Sequence, residues 1–267
     1  MAYLTVDGDK RIYYEDHGDG DTALVLIHGW GMNCRVWDGT MVALLEAGHR
    51  VIMMDHRGCG RSDHDFADMG IPAIASDVAA LVKACGVSRA VLNGWSLGGA
   101  VATQAAHDLG DTCVGLVLTA GASPIYTQKP DLELGGKAED VIATVAAIDA
   151  DRINVLNGVA AAVCAKPISD DLLKWMAWAF IDSSARSTTT LAELAHLDQR
   201  SMLLGLDIPV LSFICGQDGF VAPQISQWVA DNHPRAKGVS YPDSGHAPFI
   251  EERESYLDEL KSFLSSL

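Results

Sequence analysis

The sequence is short of positive charge. It has 19 Lys and Arg residues against 35 Asp and Glu residues, which gives a formal net charge of −16 at pH 7. Binding to the nucleic-acid backbone or to an anionic membrane surface depends on clustered basic side chains. We therefore expect neither nucleic acid nor a membrane among the partners of this chain.

Long apolar runs and paired cysteines are also lacking. No stretch approaches the ~20 consecutive apolar residues that a membrane-spanning helix needs. Residues 1–7 show no basic start followed by an apolar stretch, so we expect no secretory signal. The six cysteines are scattered without a C-x-x-C pair, which favours free thiols in a reducing compartment. These absences predict a cytoplasmic protein.

What the sequence has is ample apolar material, with 49% hydrophobic residues in 267. Short continuous apolar runs, typical of strands buried on both faces of a parallel sheet, alternate with helical patterns. This alternation predicts an α/β fold with a mostly parallel, eight-stranded sheet covered by helices on both faces. The predicted strands are residues 3–6, 11–16, 23–27, 50–55, 89–93, 114–118, 209–216 and 237–241.

The alternation stops in the second half of the chain. Residues 123–206 contain no strand-like run, and helical patterns follow one another there. We expect this stretch to be an all-helical lid inserted between the sixth and seventh strands, with residues 1–122 and 207–267 forming the core. The predicted lid helices are residues 138–148, 152–164, 170–181 and 187–199.

Three chemically distinct side chains each follow a different predicted strand. Ser96 follows the fifth strand, Asp218 the seventh and His246 the eighth. Functional groups of parallel sheets gather at the carboxyl ends of the strands, so these side chains are expected to meet. Ser96 also lies in a G-x-S-x-G pattern, whose glycines leave room for a strained turn that exposes the serine hydroxyl.

The order serine, acid, histidine predicts a nucleophilic triad. Ser96 is the expected nucleophile, and His246 the base that takes its proton and returns it to the leaving group. Asp218 is expected to orient the imidazole and stabilise its cation. The other candidates for the acid of the triad are less suitable. Asp207 precedes the seventh strand, and Asp243 lies so close to His246 that it more plausibly caps the turn.

Backbone groups and aromatic side chains complete the predicted site. The backbone N–H groups of Trp30 and Leu97 are the expected oxyanion hole, and His28 is expected to brace the loop before Trp30. The loop 55–63 contains a G-x-G pattern but lacks the third glycine of a dinucleotide-binding motif, so we expect no dinucleotide site there. The predicted pocket residues are Trp30, Trp95, Trp175, Trp178 and Phe220. Met176 and Phe180 are further candidates for the pocket wall. The alternative for the aromatic and methionine residues of the predicted lid is that they form the packed core of its helices.

These motifs together resemble the α/β-hydrolase fold superfamily, of the serine esterase type, over essentially the whole chain. The residues that carry the resemblance are His28-Gly29, the loop 55–63, Gly94–Gly99, Gly216 with Asp218, and Ser244–His246. Local similarity to pimeloyl-carrier-protein methyl ester esterases lies in residues 28–33, 36–37, 94–99 and 246–250. The resemblance implies ester hydrolysis without a metal or cofactor.

Charge argues against a carrier-protein substrate. Residues 123–206 carry seven Lys and Arg, among them only Arg152, Arg186 and Arg200, against eleven Asp and Glu. An acidic carrier protein would be repelled by this surface. We therefore expect a small-molecule substrate, and a monomer or homodimer.

The sequence thus predicts a serine hydrolase that cleaves a small, largely apolar ester or lactone through an acyl-enzyme. Dehalogenase and epoxide hydrolase chemistry is disfavoured, because those enzymes need an aspartate at position 96. A carbon–carbon bond hydrolase or a cofactor-free perhydrolase on the same triad stays open. The alternative from another class is a non-catalytic, ligand-binding relative.

Overall fold

The computed structural model describes residues 2–267, which form one eight-stranded sheet with helices on both faces. The continuous apolar runs become its central strands, whose side chains are almost all buried. In chain order the strands are β1 Ala2–Asp7, β2 Lys10–His17, β3 Thr22–Ile27, β4 Arg50–Met54, β5 Arg89–Trp95, β6 Cys113–Thr119, β7 Val210–Cys215 and β8 Ala236–Tyr241.

The strands lie in the order β1-β2-β4-β3-β5-β6-β7-β8. Strand β2 pairs antiparallel with β1 and β4, whereas every pairing from β4 through β8 is parallel. The carboxyl ends of β5, β7 and β8 therefore face the same edge of the sheet, although β5 is separated from β7 by β6. The prediction of a mostly parallel, eight-stranded sheet is confirmed.

Helices connect the strands and cover the two faces. The lid helices predicted over 138–148, 152–164 and 170–181 agree with the structure to within two residues, and the C-terminal helical stretch is interrupted at Glu252. In chain order they are α1 Asp38–Glu46, α2 Ile71–Ala84, α3 Leu97–Leu109, α4 Ala138–Ala150, α5 Arg152–Ala162, α6 Asp170–Asp182, α7 Thr188–Glu193, α8 Arg200–Leu204, α9 Pro223–Asn232, α10 Pro248–Glu251 and α11 Arg253–Ser265.

Helices α4 to α8 lie between β6 and β7, in residues 123–206, which we call the inserted segment. Two expectations about it were wrong. Residues 123–137 are not helical and instead form isolated bridges, such as the one between Thr127 and Gly136. The helix expected over 187–199 ends at Glu193, because Asp198 pairs with Ile125 and the carbonyl of Ala195 accepts a hydrogen bond from a side chain outside the helix.

Several hydrogen bonds join the inserted segment to the rest of the chain. The backbone N–H of Ser184 donates to the carbonyl of Gly58 at 2.7 Å, and the N–H of Ile71 donates to the carboxylate of Glu193 at 2.7 Å.

None of the helices formed by residues 2–267 combines the length and apolar character that a membrane crossing requires. The six cysteines are unpaired.

Candidate active site

Ser96 lies in the sharp turn between β5, which ends at Trp95, and α3, which begins at Leu97. Its φ of 56° is in a region that residues other than glycine rarely adopt. The turn is possible because Gly94 and Gly98 touch backbone on both sides. A methyl group at Gly94 would overlap the carbonyl of Gly98, and one at Gly98 would overlap two carbonyls at the end of β3. The two glycines are therefore required by steric fit.

Replacing Gly94 with Ala tests this steric requirement. The added Cβ would meet backbone atoms that no side-chain rotation can move, so we expect a loss of roughly 3 kcal/mol or more in the free energy of unfolding. The matched control is Gly158→Ala in α5, where no atom lies within 4 Å of the new Cβ. That control is expected to be neutral or stabilising by up to about 1 kcal/mol. Equal melting temperatures for the two variants would contradict the account.

His246 and Asp218 are in direct contact. The imidazole Nδ1 of His246 lies 2.8 Å from Oδ2 of Asp218, and both side chains are at most 5% exposed. The other carboxylate oxygen of Asp218 accepts the backbone N–H groups of Phe220 at 2.8 Å and Val221 at 3.0 Å. Both oxygens of the carboxylate are thereby engaged, which fixes its orientation toward the imidazole.

The backbone of His246 is anchored as well. Its N–H donates to the carbonyl of Val163 in the inserted segment at 2.8 Å, and its carbonyl accepts the indole N–H of Trp95 at 2.7 Å. The rings of Trp95 and Phe220 lie 5.4 Å and 5.0 Å from the imidazole, centroid to centroid. The histidine is thus anchored by its backbone and packed against two aromatic rings.

Ser96 and His246 face one cavity of about 410 Å³, which also reaches into the inserted segment. Trp30, Leu97 and Phe220 line it too, as the sequence predicted for the oxyanion loop and pocket. The remaining lining residues are Gly29, Trp95, Tyr126, Gly136, Lys137, Asp140, Val141, Thr144, Ile148, Val159, Val163, Phe180, Leu191, Leu194 and Gly219.

Two predicted pocket residues are not in this cavity. Trp175 lies in a separate groove beside Arg253 and Phe249, and Trp178 is 69% exposed. Their assignment to the pocket was wrong, because Trp178 lies on the side of α6 that also carries the exposed residues Asp171, Lys174 and Asp182, and Trp175 lies next to that side. Phe180 from the same helix does line the cavity, 6.1 Å from the Trp30 ring.

The loop before Trp30 is fixed by His28. The Nε2 of His28 accepts the backbone N–H of His56 at 2.9 Å, and Nδ1 lies 2.7 Å from the carbonyl of Gly29. A backbone N–H can only donate, so the proton of this imidazole is on Nδ1 and the ring is neutral. Burial lowers the pKa of His28, which agrees with the neutral form. His28 braces the loop and lies outside the cavity lining.

Two backbone N–H groups at the cavity belong to Leu97 and Trp30, the residues predicted to form the oxyanion hole. Leu97 is the first residue of α3, so its N–H has no acceptor within the helix and lies at the positive end of the helix dipole. Trp30, which also lines the cavity, provides the second backbone N–H. The indole of Trp30 also donates to the carbonyl of Ser187 at 2.8 Å, which ties this loop to the inserted segment.

Sequence reasoning missed most of the apolar lining that the inserted segment supplies. Val141 and Ile148 come from α4, Val159 from α5 and Leu194 from the end of α7, and no motif marks them. Tyr126 was missed too, because it lies in an irregular stretch without periodicity. Within residues 2–267, no group of three or more His, Cys, Asp or Glu side chains is arranged to hold a metal ion.

The chain is similar to known hydrolases over nearly its full length. The chain is 27% identical over 268 residues to the AB hydrolase superfamily protein YisY of Bacillus subtilis (strain 168), covering 99% of each chain. It is 30% identical over 262 residues to the pimeloyl-[acyl-carrier protein] methyl ester esterase of Pectobacterium atrosepticum, covering 94% of this chain and 98% of that one.

A solved structure is similar over nearly the full length. The esterase EaEST from Exiguobacterium antarcticum superimposes with a TM-score of 0.94 at 26% identity, covering 98% of both chains. The model of the alpha/beta hydrolase family matches residues 24–259, which include the strands from β3 to β8 apart from the first two residues of β3, together with the inserted segment. The chain belongs to the alpha/beta hydrolase family.

Proposed function

We propose that the protein is a serine hydrolase that cleaves a small, largely apolar carboxylic ester or lactone. The observation that carries the proposal is the contact of His246 with Asp218 beside the cavity that Ser96 also lines. The strained turn at Ser96 supports it, since backbone strain of this kind is concentrated at functional positions. The esterase relatives support the same reaction class.

The reaction proceeds in two halves. Ser96 Oγ attacks the carboxyl carbon while His246 takes the hydroxyl proton, and Asp218 stabilises the resulting imidazolium. The tetrahedral oxyanion is held by the backbone N–H groups of Trp30 and Leu97. The C–O bond to the alcohol then breaks, and the alcohol leaves with the proton from His246. Water, deprotonated by His246, hydrolyses the acyl-enzyme and regenerates Ser96.

The inserted segment acts as a lid in this proposal. It supplies the apolar side of the cavity, from Val141 to Leu194, and it contacts both ends of the catalytic machinery. Its contacts are the carbonyl of Ser187, which accepts from Trp30, and the carbonyl of Val163, which accepts from His246. The lid therefore excludes water from the acyl group and helps to position the oxyanion donor and the base.

A small ester fits the site better than a carrier-protein ester. The carrier-protein esterases are relatives at about 30% identity, but the inserted segment has only seven basic residues against eleven acidic ones. Like charges would weaken the docking of an acidic carrier protein. We also propose a reducing, cytoplasmic compartment, because the protein carries six free thiols.

A substrate panel tests the proposed function. We expect the wild-type protein to turn over p-nitrophenyl butyrate and a medium-ring lactone. We also expect kcat/KM for the methyl ester of a free acid to equal or exceed kcat/KM for the methyl ester of the same acid attached to a carrier protein. No ester or lactone turnover would identify a ligand-binding relative instead. A carrier-protein ester preferred by about tenfold or more, roughly 1.4 kcal/mol, would overturn the substrate assignment.

A further inference from the structure

One half-buried polar side chain of the cavity wall is used neither by the triad nor by a hydrogen bond within the fold. Tyr126 is half-buried in the cavity wall, and within residues 2–267 its hydroxyl has no hydrogen-bond partner. The two indole N–H groups in the wall are engaged, that of Trp30 by the carbonyl of Ser187 and that of Trp95 by the carbonyl of His246. Neither indole is therefore a donor for a substrate.

The other polar side chains of the lining lie at its mouth. Lys137, Asp140 and Thr144 are exposed and remain hydrated when a ligand enters. The inner wall from the inserted segment is apolar, formed by Val141, Ile148, Val159, Val163, Phe180, Leu191 and Leu194. Apart from Ser96 and His246, Tyr126 is thus the one side-chain donor of the described lining that a bound substrate would desolvate. A desolvated hydroxyl without an acceptor weakens binding, so a substrate that offers one is favoured.

The backbone holds Tyr126 in place on both sides. Thr127 bridges to Gly136, and its hydroxyl donates to the carbonyl of Ala195 at 2.8 Å. On the other side, Ile125 is fully buried and bridges to Asp198. A donor on a fixed backbone discriminates between ligands more strongly than a mobile one, because little ordering entropy is lost on binding.

The phenol is a donor at every physiological pH. Burial raises the pKa of Tyr126 to about 12, and the negative charge of Asp218 contributes to the rise. The position of Asp218 also indicates which ligand group is suitable, because its carboxylate accepts the backbone N–H of Phe220, which lines the same cavity as Tyr126. A carboxylate of the substrate at this position would be repelled by the same charge, whereas a neutral carbonyl, ether or amide oxygen would not.

We propose that Tyr126 is a specificity-determining residue whose hydroxyl donates a hydrogen bond to a second, neutral acceptor oxygen of the substrate. The substrates are then esters or lactones with an apolar body that carries a ketone, ether or amide oxygen besides the carboxyl group that is cleaved. This inference rests on the proposed ester hydrolysis and narrows its substrate class.

Two pairs of matched esters test the inference. One pair places the acceptor in the acyl group, with p-nitrophenyl 4-oxopentanoate against p-nitrophenyl pentanoate. The other places it in the alcohol, with 2-methoxyethyl butyrate against butyl butyrate. The measured quantity is the ratio of kcat/KM within each pair, compared between wild type and Tyr126→Phe, so that differences in intrinsic ester reactivity cancel.

We expect Tyr126→Phe to lower this ratio about five- to tenfold in at least one pair, as the loss of one neutral hydrogen bond predicts. Tyr3→Phe is the matched control, because Tyr3 is an exposed phenol on the edge strand β1 and its loss leaves both ratios unchanged. The phenol of Tyr126 has no partner in the protein, so its removal leaves the fold intact, and Tyr126→Leu is expected to change the ratio in the same direction.

The outcomes separate this inference from the proposed function. If wild type hydrolyses these esters and neither ratio changes by about threefold or more in either Tyr126 variant, the inference is overturned and the serine hydrolase stands. If wild type hydrolyses none of the four esters and no lactone either, the proposed function and the inference both fail.

Discussion

Replacing Ser96 with Ala is expected to lower kcat for p-nitrophenyl butyrate by at least about 10⁴-fold, because no other group at the site can form the acyl-enzyme. The residual rate would come from the oxyanion donors and from binding alone, which act without a nucleophile. The measurement is steady-state kinetics on purified protein, with a burst experiment on wild type to show acyl-enzyme accumulation.

Loss of folding is the competing explanation for an inactive Ser96→Ala protein. The substitution removes only the hydroxyl, and Ala at this position introduces no larger group into the turn. We therefore expect the melting temperature to stay close to that of wild type, and the apolar cavity to bind a non-hydrolysable ester analogue with similar affinity. A variant that keeps its fold and more than a tenth of the wild-type rate would rule out Ser96 as the nucleophile.

Asp218→Asn is the second change with a large expected effect, and the structure explains why an isosteric amide cannot replace the carboxylate. Oδ1 of Asp218 accepts the N–H groups of Phe220 and Val221, so the amide oxygen of an asparagine must take that place. The amide NH₂ would then point at Nδ1 of His246 and donate to it. The imidazole proton moves to Nε2, which can no longer accept the proton of Ser96.

We expect kcat of Asp218→Asn to fall by roughly 10³- to 10⁴-fold near neutral pH, the size of effect seen when the wrong tautomer is imposed on such a histidine. Asp243→Asn is the matched control, since Asp243 is exposed and only three residues from His246. The control should retain wild-type kinetics. If Asp243→Asn lost activity and Asp218→Asn kept it, the acid of the triad would be misassigned.

The sheet was predictable because each central strand is a short run of apolar residues, as at Ala23–Ile27 and Val114–Leu118. Such runs bury both faces, and no helix of four or five residues would satisfy their backbone groups. The direction of the parallel strands then indicated that Ser96, Asp218 and His246 would approach one edge, and the structure places them there.

The inserted segment was harder to predict, and α6 shows the reason. Its central residues Trp175–Phe180 are all apolar, and only the flanking charges Asp171, Lys174 and Asp182, which lie on the same side as Trp178, mark the face that is exposed to solvent. Phe180 lines the cavity, Trp175 lies in a separate groove and Trp178 is exposed at the surface. Large aromatic residues looked like the best pocket candidates, but position on the helix decided their environment.

Tyr126 shows a second limit. It lies in residues 123–137, whose backbone is fixed by long-range contacts such as the bridge between Ile125 and Asp198. A stretch ordered by partners about 70 residues away carries no local pattern in its own sequence. The pocket wall on this side could therefore be recognised only once the inserted segment was in place.

The central claim, that Ser96 carries the acyl group, is tested most directly by covalent trapping. Wild-type protein is treated with an alkyl fluorophosphonate and analysed by intact mass and by peptide mass spectrometry. We expect one adduct per chain, located on Ser96, and no adduct on the folded Ser96→Ala variant. An adduct on another residue, or an unlabelled protein that still hydrolyses p-nitrophenyl butyrate, would contradict it.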